Sequence, residues 1–471
     1  MGDRVSDEQH RLVLTAHPLQ RVGAFAFAAL ARARTPDAVT AEAFAQTVER
    51  MTGDAVRAAL VRDSKDPAGY WLKCSRSFFP NSKMNHPSSA KKEATTLSGD
   101  VRRWRQSPDE ATWPEADCVL CGRRAVGFFG KSDVPLAESD AYRNTTPRGH
   151  EGTALCWPCL NCFYALPYGC RLTGGPSIAV HSWDDRFLAK TTDRQVDENR
   201  RIFELGRDTL GPVPAREVVA LNALRRYESR VTAGVDLMVF SNENRGPSLE
   251  IYTVAQPLAE WLRRRAFGDA YGALLRAHRT EKASGRVGLA RNAFREPERI
   301  VRACARYLAG PAAGRGAIGP EAPALAGLMD TFVEEVIGMD HNDLAEIKAT
   351  ARRIAARLYS ESAGKLNSFY VQFRDQRRLR AWLQHESVHW VLKPADEETG
   401  PLVTTRGYEL LFSPGMDGQA WFHRELLLIA VIEDLYRRGW KPDGAEEVLN
   451  NLPTDPSLPD GDEEDNDGSN Q

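Results

Sequence analysis

The sequence predicts a predominantly helical α+β protein, with a zinc-ribbon-like four-cysteine module inserted in a mixed N-terminal domain and a four-helix bundle near the C-terminal end. Three observations carry this. Cys118-x-x-Cys121 and Cys156-x-x-Cys159 are two knuckles 34 residues apart, the pattern of a closed tetrahedral thiolate site. Apolar residues recur at helical spacing through much of the chain. Two short apolar runs, Val235 to Phe240 and Leu249 to Val254, flank the polar octet SNENRGPS and read as a long hairpin.

In chain order, residues 1–112 hold two amphipathic helices, His17 to Arg32 and Ala41 to Arg62, then a basic loop region. Thr35-Pro36-Asp37 separates the helices. Residues 113–171 form the four-cysteine module. Residues 172–320 mix a helical stretch (Asp193 to Thr232), the hairpin at 235–254 and basic helices from Trp261 to Arg315. The Pro and Gly segment from Gly310 to Pro323 marks a boundary. Residues 321–453 supply the bundle, with helices expected over Leu325 to Ile337, Leu344 to Ser360, Leu366 to Leu392 and Gln419 to Arg438. Residues 454–471 have the composition of a disordered acidic tail.

A composition of 42% hydrophobic and 27% charged residues excludes collagen-like and fully disordered chains. No apolar run reaches the roughly 18 to 20 residues of a membrane helix, and the first residues lack a secretory signal, so a bacterial cytoplasm is expected. Eight cysteines in a reducing compartment read as metal ligands or buried thiols, not a disulfide scaffold. The net charge of -2 conceals an asymmetry: residues 442–471 contain ten acids and no base, which leaves +8 on residues 1–441.

The knuckle thiolates of Cys118, Cys121, Cys156 and Cys159 suit a structural Zn2+, since four thiolates leave no open position for water. Cys162 repeats the spacing after Cys159 and Cys170 is close by, so the ligand set stays open at that point. Between Trp71 and Gln106, the bases Lys73, Arg76, Lys83, Lys91, Lys92, Arg102, Arg103 and Arg105 interleave with Trp71, Phe78, Phe79 and Trp104. Such a stretch can neutralise phosphates and stack on unpaired bases. The basic helices add Arg263, Arg264, Arg265, Arg276 and Arg279 as backbone contacts, and the bundle adds Arg352, Arg353, Arg357, Arg374, Arg377, Arg378 and Arg380. At the hairpin tip, Asn242, Asn244, Arg245 and Gly246 combine base-reading side chains with a close backbone approach.

His385-Glu386-Ser387-Val388-His389 matches H-E-x-x-H, so a zinc peptidase with Glu409 as third ligand is an alternative. A zinc-ribbon DNA-binding regulator acting alone is another. There is no phosphate-binding G-x-x-x-x-G-K-[ST] loop and no G-x-S-x-G nucleophile motif. The expectation is a binder with no catalytic residue.

Four stretches carry a family resemblance: HPLQRVGAFAFAALA, SFFPNSKMNHP, the module CVLCGRR to CWPCLNCFYALPYGC, and VFSNENRGPSLEIYTV. With a helical C-terminal third, the order of pieces resembles the large subunit of a type I CRISPR interference complex (Cascade), most like the type I-B branch. The resemblance implies a non-catalytic, antiviral-defence protein that holds the 5′ handle of a CRISPR guide RNA. It would read the protospacer-adjacent motif (PAM) on double-stranded target DNA, help open the duplex and dock a helicase-nuclease. Its other partners would be the backbone and handle-binding subunits. The small subunit would be a second translation product of the same gene, started at Met329 or Met339.

Overall fold

The structure, a computed structural model, describes residues 10–137, 152–205, 215–243, 246–265, 268, 270–310, 322–359, 363–392, 400–413 and 420–440. It is predominantly helical with two small antiparallel sheets, the α+β class expected. Two compact units emerge: Met1–Phe267 with Ala293–Arg295, and Gly268–Asn292 with Glu296–Gln471. Among the described residues, no helix is long and apolar enough to cross a membrane.

The first unit is built around α1 (Pro18–Leu30). Pro18 at its first turn and the His17 ring, which accepts from the Gln20 backbone N–H, start the helix. Its sequence VGAFAFAAL is apolar on every face because the helix is buried on every face. The next helices are α2 (Ala41–Val61), capped by Thr40, then α3 (Tyr70–Ser75) and α4 (Ala94–Trp104). Strands β1 (Gly127–Phe129) and β2 (Thr153–Leu155) pair antiparallel and lead into α5 (Trp157–Gly169), wholly buried and packed on α1. The two helices approach closely at Gly23, where an added Cβ would lie 1.9 Å from the Cys162 carbonyl oxygen.

Helix α5 contains Pro167, which cannot donate a backbone hydrogen bond. Separately, the carbonyls that the helix end leaves without intrahelical donors are met by buried Asn199, whose Nδ2 lies 3.1, 2.8 and 2.7 Å from the oxygens of Pro167, Tyr168 and Cys170. Asn199 belongs to α6 (Asp185–Leu205), which follows β3 (Ser177–Ser182). After α7 (Arg216–Arg225) come β4 (Val235–Ser241), β5 (Ser248–Val254) and α8 (Gln256–Arg265). The second sheet has the order β3-β4-β5, with Val235 opposite Val254 and Ser241 opposite Ser248. The hairpin therefore forms where the two apolar runs placed it, one residue longer on each side.

The second unit starts earlier than the Pro and Gly segment suggested. Helices α9 (Tyr271–Ala277) and α11 (Arg299–Leu308) belong to it, while α10 (Gly285–Arg295) gives its last three residues to the first unit. They join α12 (Ala322–Phe332), α13 (His341–Tyr359), α14 (Ala363–Phe373), α15 (Gln376–Leu392), α16 (Thr405–Phe412) and α17 (Ala420–Arg437). Helix α17 is the hub, packing on α11, α12, α13 and α16. The single helix expected over 366–392 is broken: Asp375 Oδ1 accepts from the backbone N–H groups of Arg377 and Arg378 and starts a new helix. The segment 311–321 and the acidic tail lie outside the described residues. A chain started at Met329 would lack α11 and the first part of α12, including buried Leu325 and Ala326, and would uncover the hub.

Candidate metal centre and basic surface

Cys118 and Cys121 sit on a tight knuckle. The Cys118 N–H donates to the Arg123 carbonyl, the Gly122 N–H returns to the Cys118 carbonyl, and Gly122 takes the left-handed conformation (φ 72°) this turn needs. The knuckle is tied to the second pair through Val119, whose N–H donates to the Ala154 carbonyl on β2. Cys156 and Cys159 occupy the N-cap and first turn of α5, where unpaired N–H groups and the helix dipole favour negative sulfur.

The four sulfurs lie within 4.8 Å of one another, and the Cys121 and Cys156 sulfurs are 3.5 Å apart. A tetrahedral ion with metal–sulfur bonds of about 2.3 Å requires sulfurs about 3.8 Å apart, so the donor set fits. All eight cysteines are free thiols, so no disulfide competes for these sulfurs. Cys118, Cys156 and Cys159 are buried and Cys121 is partly so, which leaves an enclosed, structural site. The ligand ambiguity resolves in favour of the two knuckles. Cys162 points elsewhere, accepting from Gln20 Nε2 at 3.4 Å, and burial pushes its thiol up to about 12. Cys170 is equally buried and its thiol is likewise raised.

Two residues that the ligand pattern alone does not single out complete the centre. Arg123 donates from Nε to the Cys121 sulfur at 3.4 Å and from a terminal nitrogen to the Arg11 carbonyl at 2.8 Å. Four thiolates with one divalent ion would carry a charge of about -2, and the guanidinium would offset part of it. Its place beside the knuckle in CGRR is the available sequence signal. Buried Gln20 links α1 to the same region: its Oε1 accepts from Thr15, and Nε2 donates to the Val13 carbonyl as well as to Cys162.

The basic loop region divides cleanly. Its aromatics, expected as base-stacking groups, are core instead: Phe78 packs edge-on against Phe240 and Phe79 edge-on against Trp104 and Tyr164, while Trp71 lies tilted against Tyr168. Trp104 is held by a 2.6 Å hydrogen bond to Asp133. Arg105 is buried too, its guanidinium 3.8 Å from the Tyr164 ring centroid. Lys92 and Arg103 pair with Asp100, and Arg102 with Glu49. Lys73, Arg76, Lys83 and Lys91 stand exposed, and among the described residues no carboxylate pairs with them.

Other expected contacts sort the same way. Arg263 folds back onto Glu260 at 2.7 and 2.8 Å and is mostly buried, so it is a structural ion pair and not a phosphate contact. On the same helix Arg264 is exposed and Arg265 partly buried. In the second unit Arg276 donates to the Tyr307 hydroxyl at 3.4 Å and Arg279 is exposed. Arg353 clamps the carbonyls of Pro401 and Leu402, and Arg357 binds Glu386 at 3.1 Å. Arg352, Arg374, Arg377, Arg378 and Arg380 remain exposed.

At the hairpin, Asn242 is the clearest departure from expectation. It is 0% exposed. Its Nδ2 donates to the carbonyls of Phe78 (2.7 Å) and Lys131 (3.1 Å), its Oδ1 accepts from the Leu136 N–H (3.1 Å), and its own N–H donates to the Ser77 carbonyl (2.9 Å). It clasps three segments together and has no edge left for a base. Gly246 is exposed, and Asn244 and Arg245 lie outside the described residues. Asn242→Ala would strand two carbonyls and an N–H in the interior. It should cost on the order of 3 kcal/mol, read by chemical denaturation. Unchanged stability with selective loss of duplex binding would restore Asn242 as a reader.

The H-E-x-x-H pair is differently disposed from a peptidase centre. The His385 and His389 rings are neighbours, with centroids 4.6 Å apart and His385 exposed. Glu386 is buried beneath them on Arg357, and Glu409 pairs with Arg406 on its own helix. Among the described residues, the four cysteines are the one metal-ligating group of three or more. Comparison of the chain with protein-family models and with curated proteins yields no match to either.

Proposed function

We propose that this chain is a non-catalytic nucleic-acid-binding protein of the kind that forms the large subunit of a type I CRISPR interference complex, its first unit organised by a structural zinc ion. The observation that carries the reading is the division within residues 71–106. The aromatics close the core, while Lys73, Arg76, Lys83 and Lys91 project outward without acidic partners. Unpaired surface cations on a rigid scaffold are what a phosphate backbone selects. The same segment joins the hairpin, since the Asn242 clasp holds the Ser77 and Phe78 carbonyls. A duplex laid along these cations would therefore run beside the exposed tip at Gly246, where a short motif could be read. On this reading the exposed arginines of the second unit meet guide RNA or the displaced strand, and the protein's partners are the backbone subunits, the small subunit and the helicase-nuclease. No observation favours the peptidase, because its base is occupied by Arg357.

The test is salt dependence. Replacing Lys73, Arg76, Lys83 and Lys91 together by alanine should weaken duplex binding without sequence preference. The slope of log affinity against log salt should become shallower by about 0.9 for each phosphate that is no longer neutralised. An unchanged slope would make these four residues ordinary solvated surface. A parallel series of duplexes that differ only in the motif beside the guide-matched sequence tests the CRISPR assignment: equal affinity across the series would defeat it.

A further inference from the structure

The protein has ten tryptophans, all among the described residues, and Trp183 is the single one the fold leaves exposed, at 51%. Tryptophan buries a large apolar surface when it can, so an open indole held in one place needs a reason. This one is held. Its backbone lies between β3 and α6, pinned on both sides. Ser182 Oγ donates to the Gly234 carbonyl at 2.8 Å, and Asp184 caps α6 while accepting from the N–H and hydroxyl of Thr232 at 2.9 Å. The ring itself has two fixed supports. The guanidinium of Arg21 lies 4.9 Å from its centroid, and Arg21 is buried and ion-paired to Asp185. The His181 ring meets it edge-on at 4.9 Å and 89°, itself buried and held by Asp236 at 2.9 Å, with Asp236 tied in turn to Thr253.

We propose that Trp183 is a stacking platform for an unpaired nucleobase. A rigid indole with a cation on one face loses almost no freedom when a base stacks on it, and every base offers a π-face. The exposed residues that follow it in the chain, Asp185 and Arg186, are charged, which suits a nucleic-acid strand better than the apolar surroundings of an aromatic anchor at a protein interface. The Asp185 charge is answered by Arg21, while Arg186 has no carboxylate partner among the described residues and lies free for the strand's phosphates. Trp183 would then take, in the same unit, the stacking role that the sequence reading gave to Trp71, Phe78 and Phe79, which are buried.

The inference rests on the nucleic-acid reading above, and one titration separates the two. Full-length, metal-loaded protein is titrated with a homopyrimidine strand and with an abasic strand of equal length, in deoxy and ribo forms. Wild type should prefer the base-bearing strand by about tenfold. Trp183→Ala should abolish that preference so that both strands bind alike, and Trp183→Tyr should keep most of it. The polymer that gives the larger preference identifies the source of the base. A preference undiminished in Trp183→Ala, or no preference in wild type that still binds both strands, overturns this proposal alone. Failure of wild type to bind any strand overturns the underlying reading as well.

Discussion

Removing the metal, by a strong chelator or by Cys118→Ser, should unfold the centre of the first unit and leave the chain largely insoluble. Zinc supplies roughly 10 to 16 kcal/mol of apparent folding energy in small thiolate domains. A whole domain is stable by only about 5 to 15 kcal/mol, so no other interaction here could compensate. The consequence reaches beyond the knuckles because Cys156 and Cys159 start α5, and α5 is the helix on which α1 packs. Elemental analysis should find about one zinc per chain under the four-thiolate arrangement. The stabilisation should be present at neutral pH and disappear as pH falls, since protons compete with the metal for the thiolates. Circular dichroism melts with and without chelator would measure it. Full zinc content and an unchanged melt in Cys118→Ser would show that the ligand set is wrong.

The four-cysteine cluster was legible in the sequence because each half of it is local: two Cys-x-x-Cys turns of fixed length each present a pair of sulfurs, and the Val119 to Ala154 hydrogen bond brings the pairs together. The early helices were legible for the same reason, through their apolar spacing and the Thr35-Pro36-Asp37 break between them. What escaped depended on distant contacts. Strand β3 reads SIAVHS and is buried at all six positions, so it shows no alternation to mark it as a strand. Asn242 belongs to a residue type common at turn tips. Whether it faced solvent was decided by Phe78, Lys131 and Leu136, more than a hundred residues away. The aromatics of the basic loop mislead in the same sense, since alternation of bases and rings looks alike whether the rings face in or out. That the second unit begins before residue 310 follows from the packing of α11 on α17, which no local composition announces.

Gly23→Ala should be among the most damaging single substitutions outside the four clustered cysteines. The glycine lies in the middle of α1, where alanine would ordinarily be preferred by up to about 1 kcal/mol. Here the helix propensity is overridden by contact with α5. The added methyl carbon would lie 1.9 Å from the Cys162 carbonyl oxygen and 2.6 Å from its carbonyl carbon, both backbone atoms of a helix. No rotamer change relieves such an overlap, so the helices must separate. Separation would loosen the packing of Val22 and Ala26 on Gly169 and disturb the hydrogen bond from Gln20 to Cys162. Overpacking a well-filled core typically costs about 1 to 3 kcal/mol, and a backbone clash between two buried helices belongs at or above the upper end. A denaturant melt of the zinc-loaded variant would give the number. Gly99→Ala is the control: it also lies within a helix, α4, but an added Cβ there meets nothing within 4 Å, so it should be neutral or slightly stabilising. Equal melts for the two variants would mean that α1 and α5 do not pack at the distance described.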